Sequence, residues 1–242
     1  SKSSVTEVPF RARCKAYLVH IYTASGALVA ALMAQAIFAN DHRTAFLWMA
    51  IAVAIDATDG TLARHFHVKR TCPNIDGRTI DDIVDYLNYT FLPILMICHA
   101  GWLPAPVWLW AAFPLMSSLF GFAHSDAKEQ RHGFFRGFPS YWNIVAFYVA
   151  VWLHAYGQYV VLVVILALSL LSILPVYFVY PNRPPKWVGF FVGGAVAWLA
   201  IVMWMVYQYP HVDPRWLVAS CMYPAAYVGL SLYLDYQSRG DR

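Results

Sequence analysis

Four aspartates in two stretches of the chain have the residue type and spacing for metal chemistry. Asp56 and Asp59 stand just before Gly60, and Asp81 and Asp85 stand further along. If both stretches are helical, Asp56 and Asp59 share one helix face, and Asp81 and Asp85 share another. Carboxylates taken out of water without partners lose much of their hydration energy. We therefore expect one or two hard divalent cations, which prefer oxygen ligands, to bind between them.

The residues between these aspartates favour a ligand with phosphate groups. Gly60 removes a side chain beside Asp59, which lets a bulky ligand approach the helix backbone. Ala63 and Gly77 keep the predicted groove between the two helices open. Arg64 can pair with phosphate oxygens through two hydrogen bonds. Aspartates alone also occur as ion relays in transporters, so a cation transporter stays an alternative on the carboxylates by themselves.

The composition indicates that this site lies in a membrane protein. Of the 242 residues, 60% are hydrophobic and 12% are charged, whereas soluble proteins have about 25% charged residues. The apolar residues form runs long enough to span a bilayer. We predict an all-α integral membrane protein, a polytopic bundle of about eight transmembrane helices. The predicted spans are residues 16–38, 44–66, 79–100, 105–123, 140–156, 158–180, 187–207 and 215–236.

The distribution of positive charge predicts the orientation of these spans. With both termini cytoplasmic, the loops and ends on the cytoplasmic side hold all of the 17 Lys and Arg residues except Arg43 and Arg215. This asymmetry follows the positive-inside rule. It predicts a basic interfacial segment at residues 1–15, followed by a single transmembrane domain at residues 16–242. All four aspartates then lie at one depth, near the cytoplasmic head groups.

The spacing of the motif resembles a known signature. Residues 56–85 follow the pattern D-x2-D-G-x2-A-R…G-x3-D-x3-D of the CDP-alcohol phosphatidyltransferase family. In that family CDP-diacylglycerol loses CMP to a hydroxyl acceptor and gives a phospholipid. The resemblance implies metal ligation by Asp56, Asp59 and Asp81. It implies that Asp85 completes the metal shell or serves as the catalytic base. It also implies a CDP-diacylglycerol site that includes Thr23, Gly60, Ala63, Arg64 and Gly77.

Three further features are similar to the bacterial phosphatidylcholine synthase branch of that family. They are the twelve-residue gap between Arg64 and Gly77, the stretch Thr23–Gly26, and the stretch Gly137–Asn143. This resemblance implies choline as acceptor, Mn or Mg as cofactor, a homodimer, and a bacterial inner membrane with the site facing the cytoplasm. No nucleic-acid partner is expected. Serine, inositol or glycerol 3-phosphate as acceptor stays open as an alternative.

Choline makes a particular demand on its binding site. Its quaternary ammonium has no N–H group, so aromatic faces, each contributing about 0.5–2 kcal/mol, are its best partners. Tyr89 lies one helical turn after Asp85 on the same face. The other candidate choline-binding residues, at the expected cytoplasmic mouth, are Tyr22, Tyr141, Trp142 and Glu129. With 17% aromatic residues, several of these serve equally well as packing or interfacial residues.

Overall fold

The computed structural model describes residues 9–123, 134–179, 184 and 186–240. Four helices in this described part are long and apolar enough to cross a membrane. They are Phe10–Phe38, His42–His65, Val188–Gln208 and Pro214–Gln237. Shorter apolar helices accompany them, and strands are almost absent from the described ranges. The chain is an all-α integral membrane protein, which confirms the predicted fold class.

The chain divides into two compact units, residues 1–92 and 93–242. The first unit holds the predicted motif. Its elements are α1 (Phe10–Ala24), α2 (Gly26–Phe38), α3 (His42–His65), α4 (Val68–Thr71), α5 (Gly77–Asp85) and a π-helical turn (Tyr86–Phe91). Helix α3 begins after Asp41, whose carboxylate accepts a hydrogen bond from the backbone N–H of Thr44 at 3.1 Å. This is the usual capping role of aspartate at a helix start.

The predicted first span, residues 16–38, lies within the membrane-length helix Phe10–Phe38, whose two segments α1 and α2 meet at Ser25. Gly26 begins α2 and is buried against α5, because a Cβ atom at this position would collide with the side chain of Val84. Glycine therefore permits a close approach of the two helix backbones at the level of the motif. Both α1 and α2 contact α3 and α5.

The second unit contains the remaining elements. They are α6 (Leu92–His99, which begins at the boundary), α7 (Val107–Ala123), β1 (Phe134–Arg136), α8 (Trp142–Val151), a 3-10 turn (Leu153–Tyr156), α9 (Gln158–Ile173), β2 (Tyr177–Val179), α10 (Val188–Gln208) and α11 (Pro214–Gly240). Its core includes Trp142, Ala146, Val149, Val161 and Ile165. Helices α7 and α9 pack together, as do α10 and α11.

The sixth predicted span ends earlier than the hydropathy indicates. Helix α9 stops at Ile173, and Leu174 is extended, with φ −73° and ψ 147°. The cause is Pro175, which has no backbone N–H and disfavours helical geometry in the residue before it. The chain then forms β2, which pairs antiparallel with β1 in the register Phe134 to Val179.

Candidate active site

Helices α3 and α5 bring three of the four motif aspartates together. One carboxylate oxygen each from Asp56, Asp81 and Asp85 can be chosen so that all three lie within 4.8 Å of one another. Such a spacing suits three oxygen ligands of one metal ion, so this acidic cluster could hold a divalent cation. The chemistry of the donor set fits a hard cation, since every donor is a carboxylate oxygen.

Asp59, the fourth aspartate, is not a member of that trio. Its side chain is 7% exposed, and its carboxylate interacts with the hydroxyl of Thr23 and the backbone N–H of Gly60. It still lines the same small cavity as Asp56, Asp81 and Asp85. This cavity has a volume of about 10 Å³, which is room for about one water molecule or ion. The four aspartates therefore surround one small space.

A larger cavity adjoins this acidic cluster. Its volume is about 500 Å³, within the range of small-molecule sites. All five residues predicted for CDP-diacylglycerol binding line it, namely Thr23, Gly60, Ala63, Arg64 and Gly77. Asp59 and Asp81 line both cavities. The wall also carries the basic side chains of Lys69, Arg70 and Arg78, so the larger cavity offers positive charge beside the acidic one.

Arg64 lies one helical turn after Gly60 on α3. The guanidinium of Arg64 donates a hydrogen bond from Nη2 to the Thr61 hydroxyl at 3.1 Å. A Cβ atom at Gly60 would lie 3.4 Å from Nη1 of Arg64. A Cβ atom at position 60 would thus be in ordinary contact with the end of the Arg64 side chain. Arg64 is exposed toward the larger cavity, where its remaining N–H groups can reach a ligand.

Gly77 allows close contact between α5 and α1. A Cβ atom at Gly77 would lie 2.9 Å from Cε1 and 3.2 Å from Nδ1 of His20. The imidazole of His20 thus lies in the space that the glycine leaves, beside the larger cavity that Gly77 also lines. Asp76 caps α5 and accepts hydrogen bonds from the N–H of Arg78 at 3.1 Å and the hydroxyl of Thr79 at 2.7 Å. These bonds, the Thr79 hydroxyl foremost, hold the pKa of Asp76 below its usual range.

The predicted aromatic residues fall in several different environments. Tyr89 is buried, lines the small acidic cavity and donates a hydrogen bond to Oδ2 of Asp56 at 3.4 Å. The hydroxyl of Tyr22 lies 2.7 Å from that of Thr58. Tyr141 is partly exposed in the second unit. Glu129 lies outside the described residues.

Trp142 occupies the core of the second unit. It is fully buried, and its indole N–H donates to the hydroxyl of Ser118 at 2.8 Å. Its ring also meets Phe138 edge to face. Packing and one internal hydrogen bond thus account for its surroundings.

Two polar residues of the site were not anticipated from the sequence. His20 lines the larger cavity, and its buried Nε2 has no hydrogen-bond partner among the described residues. Asn88 lines the small cavity beside Asp85 and Tyr89. Its position three residues after Asp85 is a weak signal, because the π-helical turn that contains it has no recognisable sequence pattern.

Comparison with known proteins agrees with the motif. The chain is similar to the phosphatidylcholine synthase of Legionella pneumophila, with 37% identity over 231 residues that cover 91% of this chain and 89% of the relative. It is 34% identical to that of Pseudomonas aeruginosa, covering 91% of this chain and 92% of the relative. It is 32% identical to that of Rhizobium meliloti, covering 91% and 90%.

Two other comparisons add nothing to this result. No family model matches the chain, and no solved structure matches it. The curated relatives therefore carry the assignment, and they cover both the motif helices and the second unit. The chain belongs to the phosphatidylcholine synthase family.

Proposed function

We propose that this protein transfers the phosphatidyl group of CDP-diacylglycerol to choline and releases CMP, with Mn or Mg as cofactor. One observation carries the proposal: three carboxylates converge beside a cavity of about 500 Å³ whose wall carries four basic side chains, Arg64, Lys69, Arg70 and Arg78. Acidic groups for a cation and basic groups for phosphates are what a metal-bound diphosphate requires. The names of the relatives support choline as the acceptor.

The aspartates and the basic wall take separate roles in this proposal. Asp56, Asp59, Asp81 and Asp85 hold the cation, which neutralises charge on the diphosphate. Thr23, Gly60, Ala63, Arg64 and Gly77 bind the CDP-diacylglycerol, with the Arg64 guanidinium on phosphate oxygens. The volume of the larger cavity and the position of these residues along its wall support this division.

The reaction is a displacement at phosphorus. The choline oxygen forms a bond to the phosphorus of the phosphatidyl group, and the bond from that phosphorus to the CMP oxygen breaks. The proton of the choline hydroxyl passes to the carboxylate of Asp85, which lines the small cavity. Tyr89, whose hydroxyl donates to Asp56, is the proposed aromatic contact to the quaternary ammonium near the reacting atoms.

The experiment is a lipid-forming assay with the purified protein in detergent or vesicles. Labelled choline should enter lipid only when CDP-diacylglycerol and Mn²⁺ or Mg²⁺ are both present, and CMP should appear in equal amount. A chelator should stop the reaction, and added cation should restore it. Formation of the same lipid without any divalent cation would contradict the proposed site.

Parallel samples separate the alternatives. Labelled serine, inositol or glycerol 3-phosphate entering lipid in place of choline would move the assignment to another acceptor in the same reaction class. Uptake of a cation into sealed vesicles without any lipid product would instead favour a transporter.

We place the protein in a bacterial inner membrane, as a homodimer with its site toward the cytoplasm. The charge asymmetry of the chain supports the orientation.

A further inference from the structure

Asn88 has an unusual position in the wall of the small acidic cavity. Its side chain is 1% exposed, and it lines the cavity together with Asp81 and Asp85. Its amide nitrogen donates to the carbonyl oxygen of Gly26 at 3.0 Å and to that of Val84 at 3.1 Å. One N–H of the amide therefore bonds to the start of α2, and the other bonds to a carbonyl of α5 four residues earlier in the chain.

These two bonds determine which way the amide faces. Exchange of the amide nitrogen and oxygen would place Oδ1 against two carbonyl oxygens, which are acceptors like itself. Oδ1 must therefore occupy the other side of the amide. Within the described part of the chain this buried oxygen has no hydrogen-bond donor. A buried acceptor without a donor is unfavourable, because it has lost its hydration and gained no hydrogen bond in exchange.

The chemistry of the cavity limits which group can donate to this oxygen. Its polar lining includes four carboxylates, which are acceptors when ionised, and the hydroxyls of Thr23 and Tyr89. The Thr23 hydroxyl donates to the carbonyl oxygen of Val19 and the Tyr89 hydroxyl donates to Asp56, each at 3.4 Å. The cavity has a volume of about 10 Å³, enough for about one water molecule. A water polarised by a cation donates strongly through its hydrogens, and an asparagine carbonyl is a common oxygen in the shells of hard cations.

We propose that Asn88 belongs to the cation site, where its Oδ1 accepts a hydrogen bond from a water molecule bound to the divalent cation. The inference rests on the proposed cation among the four aspartates. Asn88 then has two roles: its amide nitrogen holds α2 against α5, and its amide oxygen orients the water bound to the cation. It acts as a positioning residue through the cation.

The test is Mn²⁺ affinity, measured by electron paramagnetic resonance on the purified full chain without substrate. Asn88→Ala removes Oδ1, and we expect the Kd for Mn²⁺ to rise about 10- to 100-fold, the usual effect of losing an outer-shell partner. Asn88→Asp also loses both N–H bonds to Gly26 and Val84 but keeps an oxygen. We expect its Kd to stay within about threefold of the wild-type value or to fall, since it supplies an acceptor of greater charge.

The comparison separates a purely structural role from the proposed one. If Asn88 only joined α2 to α5, both variants would lose Mn²⁺ affinity alike, and that result would overturn the proposal. An Asn88→Ala variant with the same Kd for Mn²⁺ as the wild type would also overturn the proposal. If Asn88→Ala does not fold, a Kd for Asn88→Asp raised more than about tenfold, the lower end of the expected loss, would have the same meaning.

Thr90 offers a matched control on the same π-helical turn. Its buried hydroxyl has no hydrogen-bond partner in the described ranges, and it does not line the acidic cavity. Thr90→Val should leave the Mn²⁺ Kd unchanged, and a loss equal to that of Asn88→Ala would refute a specific role for Asn88. If the wild-type protein binds no Mn²⁺ at all, the proposed cofactor fails together with this inference. Binding that is lost in Asp81→Asn but kept in Asn88→Ala refutes the inference alone.

Discussion

At the scale of single residues, the side chain of Tyr89 can make two different contacts, one through its hydroxyl and one through its ring. Its hydroxyl is bonded to Asp56, and its ring is buried beside the acidic cavity. A hydroxyl contact would act on the aspartate, whereas the ring would act on the quaternary ammonium of choline. The two contributions can be removed one at a time.

We predict that Tyr89→Phe keeps the KM for choline, because the aromatic face remains. Tyr89→Leu should raise that KM about 2- to 30-fold, the equivalent of about 0.5–2 kcal/mol for one cation–π contact. Steady-state kinetics with varied choline and saturating CDP-diacylglycerol measure both values. An equal KM for the Phe and Leu variants would exclude the ring from choline binding.

The motif aspartates could be predicted from the sequence, whereas Asn88 and His20 could not. Aspartates in an apolar segment indicate a site, because burying an unpaired carboxylate is unfavourable. Their i,i+3 and i,i+4 spacing predicts which of them share a helix face. The contribution of Asn88 depends on the π-helical turn, and that of His20 depends on the close approach of Gly77. Both arise from packing between distant segments, for which local sequence gives no signal.

At the scale of elements, the contact between α1 and α5 depends on the absence of a side chain at Gly77. We predict that Gly77→Ala lowers the free energy of unfolding by about 1–3 kcal/mol, because the added methyl group meets the imidazole of His20. Thermal unfolding in detergent, followed by fluorescence, measures the loss.

The double variant His20→Ala/Gly77→Ala is the control for that contact. The smaller side chain at position 20 gives the methyl group room, so the double variant should lose less stability than the sum of the single variants. Fully additive losses would show that the two residues do not interact.

The cap of α5 predicts a pH-dependent effect. The pKa of Asp76 is lowered by its hydrogen bonds from Thr79 and Arg78. The resulting stabilisation is complete above the unfolded-state pKa of about 3.9 and is lost as the pH falls through the lower pKa of the folded state. We therefore expect Asp76→Ala to unfold at a lower temperature than the wild type at pH 7. This difference should shrink below about pH 3.9, and a difference that grew there would contradict the assignment.

The elements themselves were predictable to different degrees. Each predicted span contains a helix, because long apolar runs leave the backbone no other way to satisfy its hydrogen bonds in a bilayer. The junction of α1 and α2 at Ser25 was not predicted, because hydropathy reports composition over several helical turns and not the local backbone hydrogen bonds. The pairing of β1 with β2 was missed because it joins residues far apart in the sequence.

At the scale of the whole molecule, the placement of positive charge predicts the orientation of the chain. In a variant without its four native cysteines, a single cysteine would replace either Arg43 or Lys69, both of which are exposed. We expect an impermeant maleimide to label Arg43→Cys in spheroplasts and Lys69→Cys in inverted membrane vesicles. Labelling of both positions from one side would contradict the predicted topology.

The central claim is that α3 and α5 direct their aspartates into one cation site for phosphatidyl transfer. Asp81 and Asp82 are adjacent on α5. Of these two residues, Asp81 belongs to the carboxylate trio and lines both cavities, whereas Asp82 does neither. The decisive measurement is the CDP-diacylglycerol-dependent entry of labelled choline into lipid, with Mn²⁺ binding measured on the same samples. Asp81→Asn should lose both signals down to background, and Asp82→Asn should keep most of each. Full activity in Asp81→Asn, or an equal loss in both variants, would contradict the account.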